Sequence, residues 1–159
     1  MLSLPPFQTL LDHHGAVVHR FLVASVGAAE ADDCFQEACI AAMRAYPALE
    51  NADHLRAWLL KIAQRKAIDA HRARARRPLP VAQPPESAAA GGFAAVESNG
   101  QPIWARVRGL PEKQRMAVFL RSVADMSYED VARALDCSPD AARRNVHEGL
   151  KRLREEMAA

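Results

Sequence analysis

Five polar side chains near the end of the chain, Ser138, Arg143, Arg144, His147 and Lys151, are of the types that read and grip DNA. Arginine pairs bidentately with the major-groove edge of guanine, and serine and lysine suit phosphate. The free backbone N–H groups of a helix start at Ser138 would add a further anion site. Ala142, Val146, Leu150 and Leu153 recur at helical spacing and form one apolar stripe. At roughly 100° per residue, Asp140, Arg144, His147, Glu148 and Lys151 point away from it. Asp140 and Glu148 repel phosphate, but they can accept from cytosine N4 or orient an arginine. An ordinary solvated basic helix has the same look. What favours DNA is the preceding segment. Ser127 with Asp130 forms a capping box, and Tyr128, Val131, Ala132 and Leu135 make a short inward face. Asp136-Cys-Ser138 is a tight break, and Pro139 occupies a first helical position. A short amphipathic helix, a turn and a longer basic helix make a helix-turn-helix.

A second constellation lies earlier. The loop from Tyr46 to Ala52 carries Tyr46, Glu50 and Asn51, and a helix with a basic tail follows it: Arg65, Lys66, His71, Arg72, Arg74, Arg76 and Arg77. Polar and aromatic groups beside a basic helix suit an unpaired base held outside the stack. Trp58 in that helix reads as core packing. Arg72 to Arg77 fits a surface tracking a nucleic-acid backbone and the charged start of a linker equally well.

Enzymatic chemistry finds little support. There is no phosphate-binding Gly-rich loop of the G-x-x-x-x-G-K-[ST] kind, no H-E-x-x-H and no CxxC, and His13-His14 is most simply a polar stretch of helix. The three cysteines are odd in number, and Cys34 and Cys39 are poorly spaced for a metal, so reduced thiols and neither metal nor cofactor are expected. The opening MLSLPPFQ lacks the basic and apolar parts of an export signal, and no apolar run reaches bilayer length, so a cytoplasmic protein without membrane insertion is expected.

The elements that position these groups are all helical. Phe7 to Ala24 forms a first helix, broken at Gly27-Ala28. A second carries Phe35, Ala38, Cys39, Ala42 and Met43 as its apolar stripe, with Asp33, Gln36, Glu37 and Arg44 outside it, and Pro47 ends it. A third is capped at Asp53, buries Leu55, Trp58, Leu59 and Ile62, and stops at Pro78. Residues 78–103, rich in Pro, Ala, Gly and Ser, hold none of the 21 basic residues and two Glu, the composition of a flexible linker. Beyond it, Trp104 to Arg108 and Glu112 to Ala124 precede the helix-turn-helix. The expected architecture is all-α, with two small helical domains at 5–77 and 104–158 joined by that linker. A net charge of +2 is too small to prove a polyanion partner by itself.

Three stretches together resemble one family. Ala31-Asp-Asp-Cys-Phe-Gln-Glu-Ala-Cys39 is similar to A-E-D-L-V-Q-E-T-F. His54 to Asp69 is similar to F-R-A-W-L-x-x-I-A-R-N-x-A-I-D. Leu110-Pro-Glu-Lys-Gln-Arg115 with Ser127 to Ala132 is similar to L-P-x-x-Q-R and L-S-Y-x-E-I-A. Their order and spacing resemble the extracytoplasmic-function (group 4) sigma factors of bacterial RNA polymerase. The resemblance implies sigma domain 2 at 5–77 and sigma domain 4 at 104–158. It implies that Asp33, Gln36 and Glu37 dock on the coiled coil of the β′ clamp. The Tyr46–Ala52 loop, with Arg56, Lys61, Arg65 and Lys66, would hold the melted −10 element. The last helix would read −35 DNA while its domain meets the β flap, and the linker would run toward the RNA exit path, where a tether lacking basic residues suits a basic channel. An anti-sigma factor is a possible further partner. Arg65 stands where Asn is usual, Asp136-Cys137 where Gly-Ile is usual, Ala141-Ala142 where Thr-Val is usual, and Asn145 where Arg is frequent. These departures bear on the promoter sequence read, not on the fold.

The main competing reading is a stand-alone helix-turn-helix regulator, which leaves residues 5–77 as a sensor without a ligand-pocket signature. A nucleic-acid-processing enzyme and a protein-only adaptor on polymerase are the others. The adaptor would have no use for Arg144 or Lys151.

Overall fold

The computed structural model describes residues 3–77, 106–107 and 109–159, all of whose regular structure is helical. The expected linker and Trp104 lie outside the described residues. Among the described residues six α-helices have both ends defined: α1 (Phe7–Val26), α2 (Ala28–Ala45), α3 (Leu55–Arg76), α4 (Glu112–Ser122), α5 (Tyr128–Leu135) and α6 (Pro139–Ala158).

α1, α2 and α3 form the first bundle. Gly27 separates α1 from α2 at φ 87°, in the region glycine enters without a Cβ penalty. α2 buries Ala31, Cys34, Ala38 and Ala42, and these small side chains let α1 and α3 approach closely. This corrects the expected stripe: Cys34 is inside, Phe35 and Cys39 are half-buried, and Met43 is 55% exposed. A short 3-10 turn, Tyr46–Ala48, contains Pro47 and ends α2.

The start of α3 also differs from expectation. Asn51, not Asp53, supplies the local side-chain bond, its Oδ1 accepting from the Asp53 N–H at 3.0 Å. His54 is the N-cap, left-handed at φ 59°, and its carbonyl accepts from the Trp58 N–H at 2.9 Å. An Asx turn thus replaces the expected helix cap. α3 buries Ala57, Leu59, Leu60, Ala63 and Ala67, whereas Leu55, Trp58 and Ile62 are half-buried. The buried arc is shifted and broad because α3 packs on α1, α2 and α5 at once.

α4, α5 and α6 form the second bundle. Ser127 Oγ accepts from the Asp130 N–H and Ser138 Oγ from the Ala141 N–H, each at 3.1 Å, and Pro139 occupies the first turn of α6. Both caps and the proline are where the sequence places them. Asp136 is left-handed at φ 55°, and the Cys137 N–H reaches back to the Ala132 carbonyl at 3.0 Å, closing the turn between α5 and α6. α6 buries Ala142, Val146, Gly149 and Leu153, with Leu150 half-buried. Gly149 was not legible as a packing residue. A Cβ there would lie 2.7 Å from Val118 Cγ2 of α4, so glycine sets how closely α4 and α6 approach.

The two bundles pack together. α3 lies against α5 and α1 against α4, where the Phe21 and Phe119 rings meet edge to face with centroids 6.2 Å apart. One continuous apolar core runs through both.

Gly149→Ala is expected to lower unfolding stability by about 1–3 kcal/mol through overpacking against Val118. Ser127→Ala, losing a cap, should cost about 1 kcal/mol. Urea unfolding of both checks this; a Gly149→Ala protein as stable as the parent would mean that α4 and α6 do not approach this closely.

Candidate nucleic-acid interface

α6 presents its polar residues outward. Ser138, Arg143, Arg144, His147 and Lys151 are all exposed. The last four span an arc of roughly 100° facing away from Ala142, Val146 and Leu153. Two of them have side-chain partners. The Arg143 guanidinium lies 5.3 Å from the Tyr128 ring centroid and 3.4 Å from Asp140 Oδ1. Arg121 stacks on the same ring at 4.9 Å. Lys151 Nζ is 4.0 Å from Glu155 Oε1, a loose exposed pair that phosphate can displace. Asp140 therefore serves Arg143 as an orienting carboxylate. Glu148 accepts from Gln114 Nε2 of α4 at 3.2 Å, which ties it to the bundle. The role of Tyr128 was missed: in sequence it reads only as an inward residue of α5.

The α3 region is more mixed. Tyr46, expected to face an unpaired base, is 8% exposed; its hydroxyl donates to the Pro5 carbonyl and its ring packs on Phe7 and Trp58. It props the loop from beneath instead of stacking on a base. Asn51 is exposed but engaged in its local turn. Arg56 is half-buried and donates to the Ala124 carbonyl of the second bundle. It shares the packed side of α3 with Leu60 and Ala63, so it does not belong with the other basic residues. Lys61 is 3.4 Å from Asp136, Arg65 is exposed and Lys66 is half-buried on another side of the helix. The four expected −10 residues on α3 thus do not share one face. A different row does: at roughly 100° per residue, His54, Lys61, Arg65, Arg72 and Arg76 line one ridge of α3. Arg74 falls outside it and pairs with Glu30 of α2 at 2.6 Å.

On α2, Asp33, Gln36 and Glu37 are exposed on one side. Ile40 and Met43 continue that surface and are 42% and 55% exposed. Sequence reasoning assigned Met43 to the core because its spacing fits the stripe.

The thiols are ordinary. Burial raises the Cys34 thiol, helped by Glu37, Glu30 and Asp33; burial raises Cys39; burial and then Asp136 raise Cys137, against a smaller opposing effect of Lys113. All three are held toward the unreactive protonated form. Among the described residues no His/Cys/Asp/Glu group is placed to hold a metal, and no helix is long and apolar enough to cross a membrane.

Comparison with known proteins shows the family of the chain. Residues 10–77 match the sigma-70 region 2 model and residues 100–153 a sigma-70 region 4 model. SigD, an ECF RNA polymerase sigma factor of Mycobacterium tuberculosis, is 36% identical over 154 residues, covering 90% of this chain and 73% of SigD. The chain belongs to the extracytoplasmic-function sigma factor family. The ECF sigma-E factor of Escherichia coli is 30% identical over 153 residues, covering 88% of this chain and 80% of its own length. In fold, the chain is similar to the sigma factor RpoE of Bartonella quintana, solved in complex with the anti-sigma factor NepR. The TM-score is 0.74 at 19% identity, covering 96% of this chain and 97% of that one. As a sigma factor the chain is a non-enzymatic initiation factor that binds core RNA polymerase and promoter DNA, and the stand-alone regulator is not favoured.

Tyr128→Leu, which removes the ring under Arg143, is expected to weaken binding of −35 duplex by the holoenzyme roughly two- to fivefold, the scale of an exposed cation–π contact. Tyr128→Phe should keep most of the affinity. Equal losses in the two variants, measured by fluorescence anisotropy, would show that the ring does not position Arg143.

Proposed function

We propose that this sigma factor works as a two-point promoter reader with its parts divided between two domains, 5–77 and 104–158. The exposed arc of α6, set by two capped helices and a closed turn, is the observation that carries the reading. α6 enters the major groove of the −35 element. Arg143 and Arg144 address base edges, Ser138 and the N–H groups of the first turn take phosphate, and His147 and Lys151 extend the contact. On the other domain, Asn51, Lys61 and Arg65 face the melted −10 element. Lys66 reaches the backbone from the side, and Tyr46 and Arg56 hold the platform rigid. Melting is helped by giving an unpaired base the polar turn at Asn51 and the basic ridge of α3.

Core polymerase docks on α2. Asp33, Gln36 and Glu37 supply an acidic, polar half that suits the coiled coil of the β′ clamp. Ile40 and Met43, exposed beside them, supply an apolar half that gains from burial. The second domain meets the β flap. The reading includes a cytoplasmic location and an anti-sigma factor that holds the chain inactive; the fold match to a sigma factor solved with its anti-sigma partner supports the latter.

Transcription with purified core polymerase and a promoter library tests the whole reading: promoter-specific starts should appear only with both core and this chain. Tight DNA binding without core, and no added starts with it, would overturn it. Asp33→Arg should abolish core binding, and Ile40→Asp should weaken it at least as much as neutralising Glu37, read by core pull-down with folding checked by circular dichroism. Arg144→Ala should relax −35 choice at a cost of about 1–3 kcal/mol; an unchanged −35 profile would show that Arg144 does not touch bases.

A further inference from the structure

Asp140 and Glu148 both face outward on α6, and they differ in what meets their charge. Asp140 Oδ1 lies 3.4 Å from the Arg143 guanidinium, so its charge is balanced within its own helix. Glu148 is exposed, and among the described residues its carboxylate makes a single hydrogen bond and no ion pair. That bond comes from Gln114 Nε2 of α4, at 3.2 Å. Gln114 is 7% exposed, and its Oε1 is buried without a partner among the described residues, so Glu148 is what satisfies this desolvated amide. Gly149 makes the reach possible: a Cβ there would lie 3.4 Å from Gln114 Cβ and 2.7 Å from Val118 Cγ2. One carboxylate oxygen, Oε2, is thereby fixed, and the other keeps its acceptor sites open.

Glu148 stands beside the DNA contact set. It follows Arg144 by four residues and precedes Lys151 by three, and residues at those spacings are surface neighbours on a helix. At roughly 100° per residue it is about 40° from Arg144 around the axis. Lys151 leans to Glu155 instead, at 4.0 Å. A carboxylate without a cation repels phosphate, so on a DNA-facing helix it costs affinity unless it accepts from a base.

We propose that Glu148 is a specificity-determining residue: held by Gln114, it accepts from the N4 amino group of a cytosine in the −35 element. The inference rests on the placement of α6 in the −35 major groove. The base follows from what each edge offers. Guanine presents N7 and O6, and thymine O4, all acceptors that repel a carboxylate. Adenine presents its N6 amino group but sets the N7 acceptor beside it. Cytosine presents a donor alone. Gln114 is a positioning residue: it touches no base, and by fixing Oε2 it limits what the other oxygen reaches.

The test is selection by the holoenzyme, core polymerase with the full chain, from promoters randomised across the −35 element. The parent should enrich cytosine at one position, on either strand. Glu148→Ala should flatten that position, cutting the preference for cytosine over thymine there roughly fivefold or more, and leave the others as they are. Glu148→Gln should shift the same position toward adenine, whose N6 and N7 a glutamine amide pairs with. Gln114→Met, close in size and unable to hold the carboxylate, should blunt that position alone, with the folding of each variant checked by thermal unfolding. A uniform loss at all positions in Gln114→Met is the mark of a structural role and overturns the positioning assigned to it. An unchanged profile in Glu148→Ala, or a changed position that holds no cytosine in the parent, overturns the proposal. If Arg144→Ala also leaves every −35 position unchanged, the placement of α6 on −35 DNA is what fails.

Discussion

The burial of α3 on two sides is the constraint from which the rest of the molecule follows. A helix that packs on α1 and α2 across one arc, and on α5 across another, has little surface left for solvent. Alanine makes this possible: Ala57, Ala63 and Ala67 on α3, with Ala31, Ala38 and Ala42 on α2, let backbones approach without large side chains between them. Such packing leaves few places where α3 can carry charge. Most of its basic residues lie on a narrow ridge or at the helix end, Lys66 is half-buried on another side, and Arg56, on the packed side, is spent on a backbone carbonyl.

The same economy governs the second bundle. α6 can present an unbroken polar arc because its opposite side is compressed to Ala142, Val146, Gly149 and Leu153, and Gly149 brings α4 close enough to brace it. Gln114 of α4 then reaches Glu148, and Tyr128 of α5 reaches Arg143. Outward side chains of α6 are therefore supported by side chains of neighbouring helices. Rigid presentation of this kind lowers the entropic cost of binding.

The two bundles meet through apolar rings at the centre and ion pairs at the edge. Apolar contact is indifferent to what the edge charges are, so those charges are free to carry function. In this molecule they pair acidic positions of the second bundle with basic positions of the first. That arrangement suits a protein with a net charge of only +2, whose DNA-binding surfaces are concentrated patches within a nearly balanced whole.

Much of the local structure was written in the sequence. The helices, the break at Gly27, the caps at Ser127 and Ser138, Pro139 at the helix start and the outward set on α6 follow from interactions within a few residues. Periodicity also identified the exposed Asp33, Gln36 and Glu37. It failed where burial came from more than one neighbour. Met43 fits a stripe by spacing but is 55% exposed, Tyr46 has a polar handle that a distant carbonyl satisfies, and Asp53 yields its capping place to a turn made by Asn51. The sequence by itself determined the family, the helices and the −35 candidate surface, because these depend on short-range pattern. Which side of α3 is buried, what holds Arg143 and which acids meet His54 and Lys61 were decided by tertiary structure, because they depend on helices distant in the chain meeting at a particular angle and depth.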